Sequence, residues 1–214
     1  MNNVSRYLFG LAVFGFFVAG TPSAQTPTYP YDHIHLNVPA TAGASAWNEK
    51  NTPGGRRITE APDRIMYGST RLMFLRNPTA KPSAGSAIDH IGFSVADLDA
   101  KMKEWEAAGI KITTPARDVP GLFKLGFIED PWGTRIEVVQ DPELLGLHHV
   151  HLRNPNPDEG YAWLLDKFGG KRMQLKGRLD ALRYDYDGFS SVWVLIQKGE
   201  AEPSIGHAID HIGW

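Results

Sequence analysis

The segment Ile88-Asp89-His90-Ile91-Gly92-Phe93-Ser94-Val95 decides the fold prediction for this 214-residue chain. Histidine, glycine and serine alternate in it with isoleucine, phenylalanine and valine, which is the pattern of a β-strand with one apolar face. Near copies of its start occur at Asp32-His33-Ile34 and Asp210-His211-Ile212, and a looser copy occurs at His148-His149-Val150. The steps between these histidines are 57, 59 and 62 residues. Such regular steps indicate three full repeats and the start of a fourth.

Each repeat is predicted to be one βαβββ unit. After the strand at residues 88–95, apolar residues at helical spacing predict a helix over residues 96–108, with Asp97 as its N-cap and Gly109 as its end. Three further strands are predicted at residues 110–113, 122–128 and 135–140, and the turn Asp130-Pro131-Trp132-Gly133 joins the last two. The third repeat follows the same plan. The first is less regular, with its helix expected at residues 41–50.

The predicted fold class is therefore α+β, built from tandem βαβββ units. A single unit leaves one sheet face uncovered, so two units must pair to enclose a cavity. Units one and two are predicted to form one domain at residues 31–142, and residues 147–214 a second, C-terminally incomplete domain. Because an end one strand into a unit leaves a sheet edge unpaired, we expect a truncated chain. Completion of the fourth unit by a partner chain is the alternative.

The N-terminal residues resemble a secretory signal. Arg6 precedes an apolar run at residues 7–20, and small residues follow up to Ser23-Ala24-Gln25. We predict a signal peptide at residues 1–24, hence a secreted or periplasmic protein. The apolar run has 14 residues, whereas about 20 are needed to cross a bilayer, so no membrane association is expected after cleavage.

The composition narrows the range of partners and reactions. The chain has no cysteine, which excludes disulfides, thiolate ligands and thiol nucleophiles. Its formal net charge is −2 and its basic residues are scattered, so it lacks the basic patch of a nucleic-acid-binding protein. The expected partner is a small-molecule substrate, and assembly into a homo-oligomer is possible.

Three residues are predicted to form a metal site. His33 and His90 occupy equivalent positions in their repeats and are expected to project from matching strands into a shared concavity. Glu137 is placed on the same face by the alternation of its strand, and a carboxylate that points into a cavity requires a partner or a cation. Two imidazoles and a carboxylate make a divalent-metal triad with open positions. His35, two residues after His33, is the candidate proton-transfer residue; a polar strand residue without a role is the alternative.

The two motifs at residues 89–99 and 130–137 resemble those of the vicinal oxygen chelate superfamily, which includes glyoxalase I, extradiol dioxygenases and bleomycin-resistance proteins. The resemblance covers nearly all of the chain after the signal. It implies that His33, His90 and Glu137 are metal ligands. It also implies that the cofactor is a divalent metal, here iron, manganese, nickel or zinc, which binds adjacent oxygens of a substrate as a Lewis acid.

The chain departs from particular members of this superfamily. Where glyoxalase I has a second glutamate, on the last strand of its first module, this chain has Met73. The last strand of unit three likewise offers Trp193 and Val194 in place of a carboxylate. We therefore expect an exported metalloenzyme of lyase, isomerase or dioxygenase type. The alternative is a noncatalytic small-molecule-binding protein of the bleomycin-resistance type.

Overall fold

A computed structural model describes residues 26–186 and 191–214, and the predicted signal peptide lies outside these residues. The first unit contains β1 (His33–Val38), α1 (Thr41–Asn51), β2 (Gly55–Ile58), β3 (Ala61–Tyr67) and β4 (Thr70–Arg76). The second contains β5 (Ile88–Ser94), α2 (Leu98–Ala107), β6 (Lys111–Asp118), β7 (Lys124–Glu129) and β8 (Arg135–Val139). The third contains β9 (Gly146–Asn154), α3 (Pro157–Phe168), β10 (Lys171–Leu175), β11 (Leu179–Tyr184) and β12 (Val192–Lys198), and β13 (Ile209–Gly213) begins the fourth. The predicted α+β class with βαβββ units is confirmed.

Local sequence signals account for most of these elements. Asp97 caps α2 as predicted, since its side chain accepts a hydrogen bond from the backbone N–H of Ala100 at 2.9 Å. Asn156 precedes α3 but makes no side-chain capping bond, and Pro157 begins that helix instead. The short strand β2 was not predicted, because its four residues are mostly polar or glycine and carry no alternation. No helix among the described residues has the length and apolar character to cross a membrane.

The structure pairs the units differently from the predicted domains. Units two and three form one eight-stranded sheet in the order β10-β11-β12-β9-β5-β8-β7-β6, and unit one joins β13 in a five-stranded sheet in the order β13-β1-β4-β3-β2. The predicted pairing of units one and two over residues 31–142 therefore does not form. The segment between β8 and β9, residues 140–145, is shorter than the segment between β4 and β5, residues 77–87. Short connections favour neighbouring elements, which is consistent with the observed pairing.

Both sheets place their histidines opposite the apolar core. In β1, Ile34 and Leu36 are buried, and His33 and His35, which alternate with them, are half-buried. In β5, Ile91 and Phe93 enter the core, while His90 lies on the other face. One apolar cluster includes residues from both sheets and from all three helices. The helices cover the apolar faces, so the opposite faces are left to line cavities.

Candidate metal centre

Four potential metal donors converge near the middle of the eight-stranded sheet. The side chains are His90 on β5, Glu137 on β8, and His149 and His151 on β9; one ligand atom from each lies within 4.8 Å of every other. The strand register explains the convergence. Gly92 is paired with Glu137 on one side and with His149 on the other, and His90 is paired with His151. Since alternate residues of a strand share a face, all four side chains point to the same side of the sheet.

Gly92 provides the space in which the carboxylate and one imidazole meet. A Cβ atom at this position would lie 2.0 Å from Cε1 of His149, well inside van der Waals contact. Without it, Nε2 of His149 lies 3.2 Å from Oε2 of Glu137. Nε2 of His90 lies 3.0 Å from the same oxygen, and Nδ1 of His151 lies 3.1 Å from Nε2 of His90. The donor atoms thus surround one point.

His90 is oriented by a carboxylate behind it. Its Nδ1 donates to Oδ1 of Asp89 at 2.7 Å, and that carboxylate also accepts from Nη1 of Arg135 at 2.6 Å and from the backbone N–H of Gly85 at 2.9 Å. Metal-binding histidines commonly donate their outer ring N–H to such a group, which fixes the tautomer and the ring orientation. The Nε2 atom of His90 is thereby directed toward Glu137.

His149 is oriented by a relay through its neighbour. Nε2 of His148 lies 3.2 Å from Oδ2 of Asp141, and the Nδ1 atoms of His148 and His149 are 2.9 Å apart. Because a carboxylate accepts, His148 donates through Nε2, and its Nδ1 then accepts from Nδ1 of His149. Lys176 completes the relay, with Nζ 2.9 Å from Asp141. Burial, together with His149, lowers the pKa of His148 to about 3, so that this ring is neutral as the relay requires.

The electrostatics of the cluster favour a cation. Burial alone would raise the pKa of Glu137, but hydrogen bonds from His149 and His90 outweigh burial and hold its pKa well below the usual range. Burial likewise opposes the charged form of His90, but hydrogen bonds to Asp89 and Glu137 raise its pKa. An imidazole that donates through Nδ1 can bind the Glu137 carboxylate through Nε2 only if a proton or a metal ion lies between them. Three imidazoles and one carboxylate suit divalent iron, zinc, nickel or manganese, so the residues fit the expected cofactor.

His151 differs from the other donors in its exposure. It is half-buried, whereas His90, Glu137 and His149 are buried. Burial, followed by the neighbouring His90 and His149, lowers its pKa to about 3, so the ring is neutral and a nitrogen lone pair is available to a metal. His151 can therefore serve as the fourth ligand, at the cavity side of the cluster.

A cavity of about 310 Å³ opens over the donors. Phe123, Phe127 and five leucines make up half of its lining residues, and Arg117, Arg135 and Gln197 supply polar groups beside the four donors. A second hollow of about 890 Å³ shares His151 and Gln197 with it. Such apolar walls with a few polar groups are typical of small-molecule sites.

The structure separates the residues of the predicted triad. His90 and Glu137 come together as expected, but His33 lies in the other sheet, where it groups with His35 and His211. The predicted site of His33, His90 and Glu137 therefore does not assemble, and His35 does not face the Glu137 cluster. The reason is the strand pairing: β5 is bonded to β9 of unit three, and β1 is bonded to β13.

His149 and His151 were not predicted to lie in the same cluster as Glu137. Units one and three carry the pattern His-x-His, at His33 and His149, whereas units two and four carry His-x-Gly, at His90 and His211. This difference was the available signal, because a His-x-Gly strand has room for the ring of a His-x-His partner. This pattern does not identify the partner, since by the pattern alone unit two could pair with unit one or with unit three.

The register also identifies the position equivalent to Glu137 in unit three. On β12 it is Leu195, which is paired with His151 as Glu137 is paired with Gly92. The residues named from the sequence, Trp193 and Val194, lie just before it. Leu195 is buried and lines the cavity. Among the described residues this cluster therefore has one carboxylate, and His151 brings the number of donors to four.

Comparisons with known proteins agree with this architecture. Residues 63–138 match the family model described as the Glyoxalase/Bleomycin resistance protein/Dioxygenase superfamily. Glyoxalase I from Zea mays superposes with a TM-score of 0.63 at 16% identity, covering 86% of this chain and 73% of that chain. A "putative dioxygenase" from Bacillus subtilis subsp. subtilis str. 168 superposes with a TM-score of 0.60 at 16% identity, covering 87% of this chain and 70% of that chain. No curated protein matches by sequence.

The family match over residues 63–138 confirms, for that part of the chain, the resemblance to the vicinal oxygen chelate superfamily. At 16% identity the two structural similarities establish the fold, and substrate and reaction must be argued from the site.

Proposed function

We propose that this protein is a metal-dependent enzyme of the superfamily, with His90, Glu137, His149 and His151 as ligands of one divalent ion. The observation that carries the proposal is the convergence of these four donors, one ligand atom of each within 4.8 Å of the others, beneath a cavity. When bound, the ion would act as a Lewis acid toward two adjacent oxygen atoms of a substrate. The reaction is then of lyase, isomerase or dioxygenase type.

The protein's own residues provide the conditions for such chemistry. Asp89 and His148 hold the imidazoles of His90 and His149 in place through their Nδ1 atoms, so these ligands need little reorganisation. Phe123 and Phe127 help to exclude water from the cavity, which strengthens electrostatic interactions inside it. Arg117 lines the same cavity and can bind an anionic group of the substrate. We therefore propose a small, partly apolar substrate that carries adjacent oxygens and an acidic group.

We further propose that the protein is exported. The signal-like residues 1–24 support this. Because the chain has no cysteine, an exported form would lack disulfides and would rely on its core or on a bound metal for stability. Glutathione-linked substrates are cytosolic compounds, so an exported enzyme would act on another class of molecule. The similarity to glyoxalase I therefore supports the fold and not the glyoxalase substrate.

The proposal is tested by elemental analysis of the full chain after reconstitution with iron(II), manganese, nickel or zinc. The wild type is expected to retain about one equivalent that Glu137→Gln and His90→Ala lose. Each variant removes a ligand, and even removal of a group that only orients a ligand weakens metal binding by about 10–100-fold. Glu129→Gln is the matched control, since Glu129 lies at the end of β7 and pairs with Lys111 outside the cluster. Iron as the preferred metal would favour a dioxygenase, and nickel, zinc or manganese a lyase or isomerase.

The outcome against the proposal is equally specific. A wild type with the same metal content as Glu137→Gln in all four reconstitutions would exclude the metal centre, provided that both proteins give the same thermal unfolding midpoint in chelator. The cavity would then favour a noncatalytic binding protein.

A further inference from the structure

A row of residues crosses the sheet in unit three, on the face that carries the candidate metal donors. The strand register pairs Lys171 of β10 with Arg183 of β11. It also pairs Trp193 of β12 with Arg183 on one side and with His149 on the other. Residues paired across neighbouring strands point to the same side of a sheet, so two cations and an indole ring follow His149 on that face. Like charges directly opposite each other destabilise a sheet, so the pair of Lys171 and Arg183 requires an explanation.

Among the described residues, neither of these two cations has an ion pair or a side-chain hydrogen bond. Lys171 is exposed, whereas Arg183 is half-buried and its Nη1 atom is buried without a partner. Buried donors are nearly always paired, so this one calls for an acceptor from outside the described chain. Burial lowers the pKa of Arg183, yet a guanidinium group remains charged at neutral pH.

The carboxylates around Arg183 are bound to other groups. Oδ1 of Asp141 accepts from Nζ of Lys176 at 2.9 Å, and Oδ1 of Asp185 accepts from the hydroxyl of Ser191 at 2.6 Å. Both carboxylates act against the lowering of the Arg183 pKa through space, but neither forms an ion pair with its guanidinium. The protein therefore compensates the charge of the cation pair only in part.

Lys171 and Arg183 line a cavity of about 620 Å³, which we call the Arg183 cavity. Trp193 forms part of its wall and holds the guanidinium in place, since Cζ of Arg183 lies 4.8 Å from the ring centroid. Met173, which shares a strand face with Lys171, also lines the cavity and is 47% exposed. Apolar walls with a few convergent polar groups are typical of small-molecule sites.

The Arg183 cavity is separate from the cavity over the metal donors, because the two share one lining residue, Leu175. Its acidic and basic lining residues are equal in number, three of each. Two of the basic residues are the unpaired Lys171 and Arg183, so one further negative charge can be held between them. A doubly charged anion would also meet repulsion from the acidic residues.

We propose that the Arg183 cavity binds a small organic acid. Its carboxylate contacts Arg183 and Lys171, and its apolar body packs against Trp193 and Met173. The planar guanidinium suits a carboxylate, since two parallel N–H groups can donate to its two oxygens. Binding would give the buried Nη1 atom an acceptor and would neutralise the pair of like charges.

The test uses the full chain, stripped of metal and then dialysed free of chelator, and benzoate as the probe. Isothermal titration calorimetry measures the affinity, and nuclear magnetic resonance of the indole N–H groups reports contact with Trp193. We expect saturable binding of benzoate and a shift of the Trp193 signal. Benzamide, the neutral analogue, and inorganic phosphate should bind at least about 10-fold more weakly, because a charge-assisted hydrogen bond is lost or the apolar body is missing.

Variants locate the probe. Arg183→Gln should bind benzoate at least about 10-fold more weakly, and the exposed Lys171→Gln should also weaken binding, which keeps the test valid if Arg183→Gln folds poorly. Arg76→Gln is the matched control, because Arg76 is an exposed arginine at the end of β4 in the other sheet. Glu137→Gln should bind benzoate as the wild type does, so the result is independent of the metal centre.

Three outcomes would overturn the proposal. The first is a wild type that does not bind benzoate. The second is equal affinity for benzoate and for benzamide or phosphate. The third is binding that Arg117→Gln abolishes while Arg183→Gln and Lys171→Gln retain it, since Arg117 lines the cavity over the metal donors.

Discussion

Gly92 shows how one missing side chain shapes the cluster around Glu137. It lies between Glu137 and His149 in the sheet, and the two functional groups approach each other across its Cα. Gly213 lies beside His33 in the same way in the group formed by His33, His35 and His211. Neither glycine is required by a turn or a positive φ angle. Both are required because an imidazole ring occupies the space of the Cβ atom.

We predict that Gly92→Ala weakens metal binding at the cluster around Glu137 while the chain still folds. The added methyl group would lie 2.0 Å from the His149 ring, so the ring must turn away from Glu137. Metal titration should show a loss of affinity of about 10-fold or more, and denaturation should show a loss of about 1–3 kcal/mol from overpacking. Gly43→Ala in α1 is the control, since nothing lies within 4 Å of the position that its Cβ atom would take. Unchanged metal affinity in Gly92→Ala would contradict the role given to this glycine.

The turn between β7 and β8 sets the start of the strand that carries Glu137. Oδ1 of Asp130 accepts hydrogen bonds from the backbone N–H groups of Trp132 and Thr134, at 2.9 and 2.7 Å. Oδ2 of the same carboxylate is buried and has no partner among the described residues. Burial therefore raises the pKa of Asp130 to about 6, even though the turn bonds favour the charged form. The turn holds a carboxylate whose negative charge is costly at neutral pH.

Asp130→Asn should stabilise the metal-free protein at pH 7 and not at pH 4. A folded-state pKa of about 6, against 3.8 when unfolded, means that the wild type loses stability as the pH rises from about 4 to 6, by at most about 3 kcal/mol. Asparagine keeps the acceptor for the turn and removes the charge. Urea unfolding in chelator at pH 4, 5.5 and 7 measures the effect, with the exposed Asp118→Asn as control. If Asp130→Asn stabilised the protein equally at all three pH values, the buried charge of Asp130 would not be the cause of the lost stability.

At the scale of the whole molecule, two linkers determine how the units meet. The β4–β5 linker and the β12–β13 linker run side by side through bridges between Lys81 and His207 and between Ser86 and Glu202. The backbone N–H of Ala208 donates to the carbonyl of Lys81 at 2.7 Å, and an ion pair joins Lys81 to Glu202 at 2.9 Å. These contacts bring β1 of unit one beside β13, with which it pairs. Units two and three then form the eight-stranded sheet.

The carbodiimide-induced cross-link between Lys81 and Glu202 tests this arrangement. Nζ and the carboxylate are in direct contact and both side chains are mostly exposed, although the residues are 121 positions apart. Peptide mapping by mass spectrometry should find the linked pair in monomeric protein. Lys81→Arg should remove the link, because guanidinium does not form the amide. Absence of the link in folded wild-type protein would contradict the side-by-side linkers and the unit pairing that depends on them.

The sequence by itself determined the repeating units, the α+β class and two members of the candidate metal cluster. Alternation in residues 88–95, the capping Asp97 and the turn at Asp130 are local signals, and each acts within a few residues of the chain. For the same reason His90 and Glu137, which belong to one unit and to neighbouring strands, could be placed together from the sequence alone.

Only the tertiary structure decided which unit completes the site. A strand of the type His-x-Gly accepts any strand of the type His-x-His, so local pattern allows β5 to pair with β1 or with β9. The choice depends on linker lengths and on contacts between residues more than 100 positions apart, such as the bond from Asn37 to Asp210. His149 and His151 therefore replace the predicted His33 and His35 beside Glu137, and those two histidines group with His211 in the other sheet.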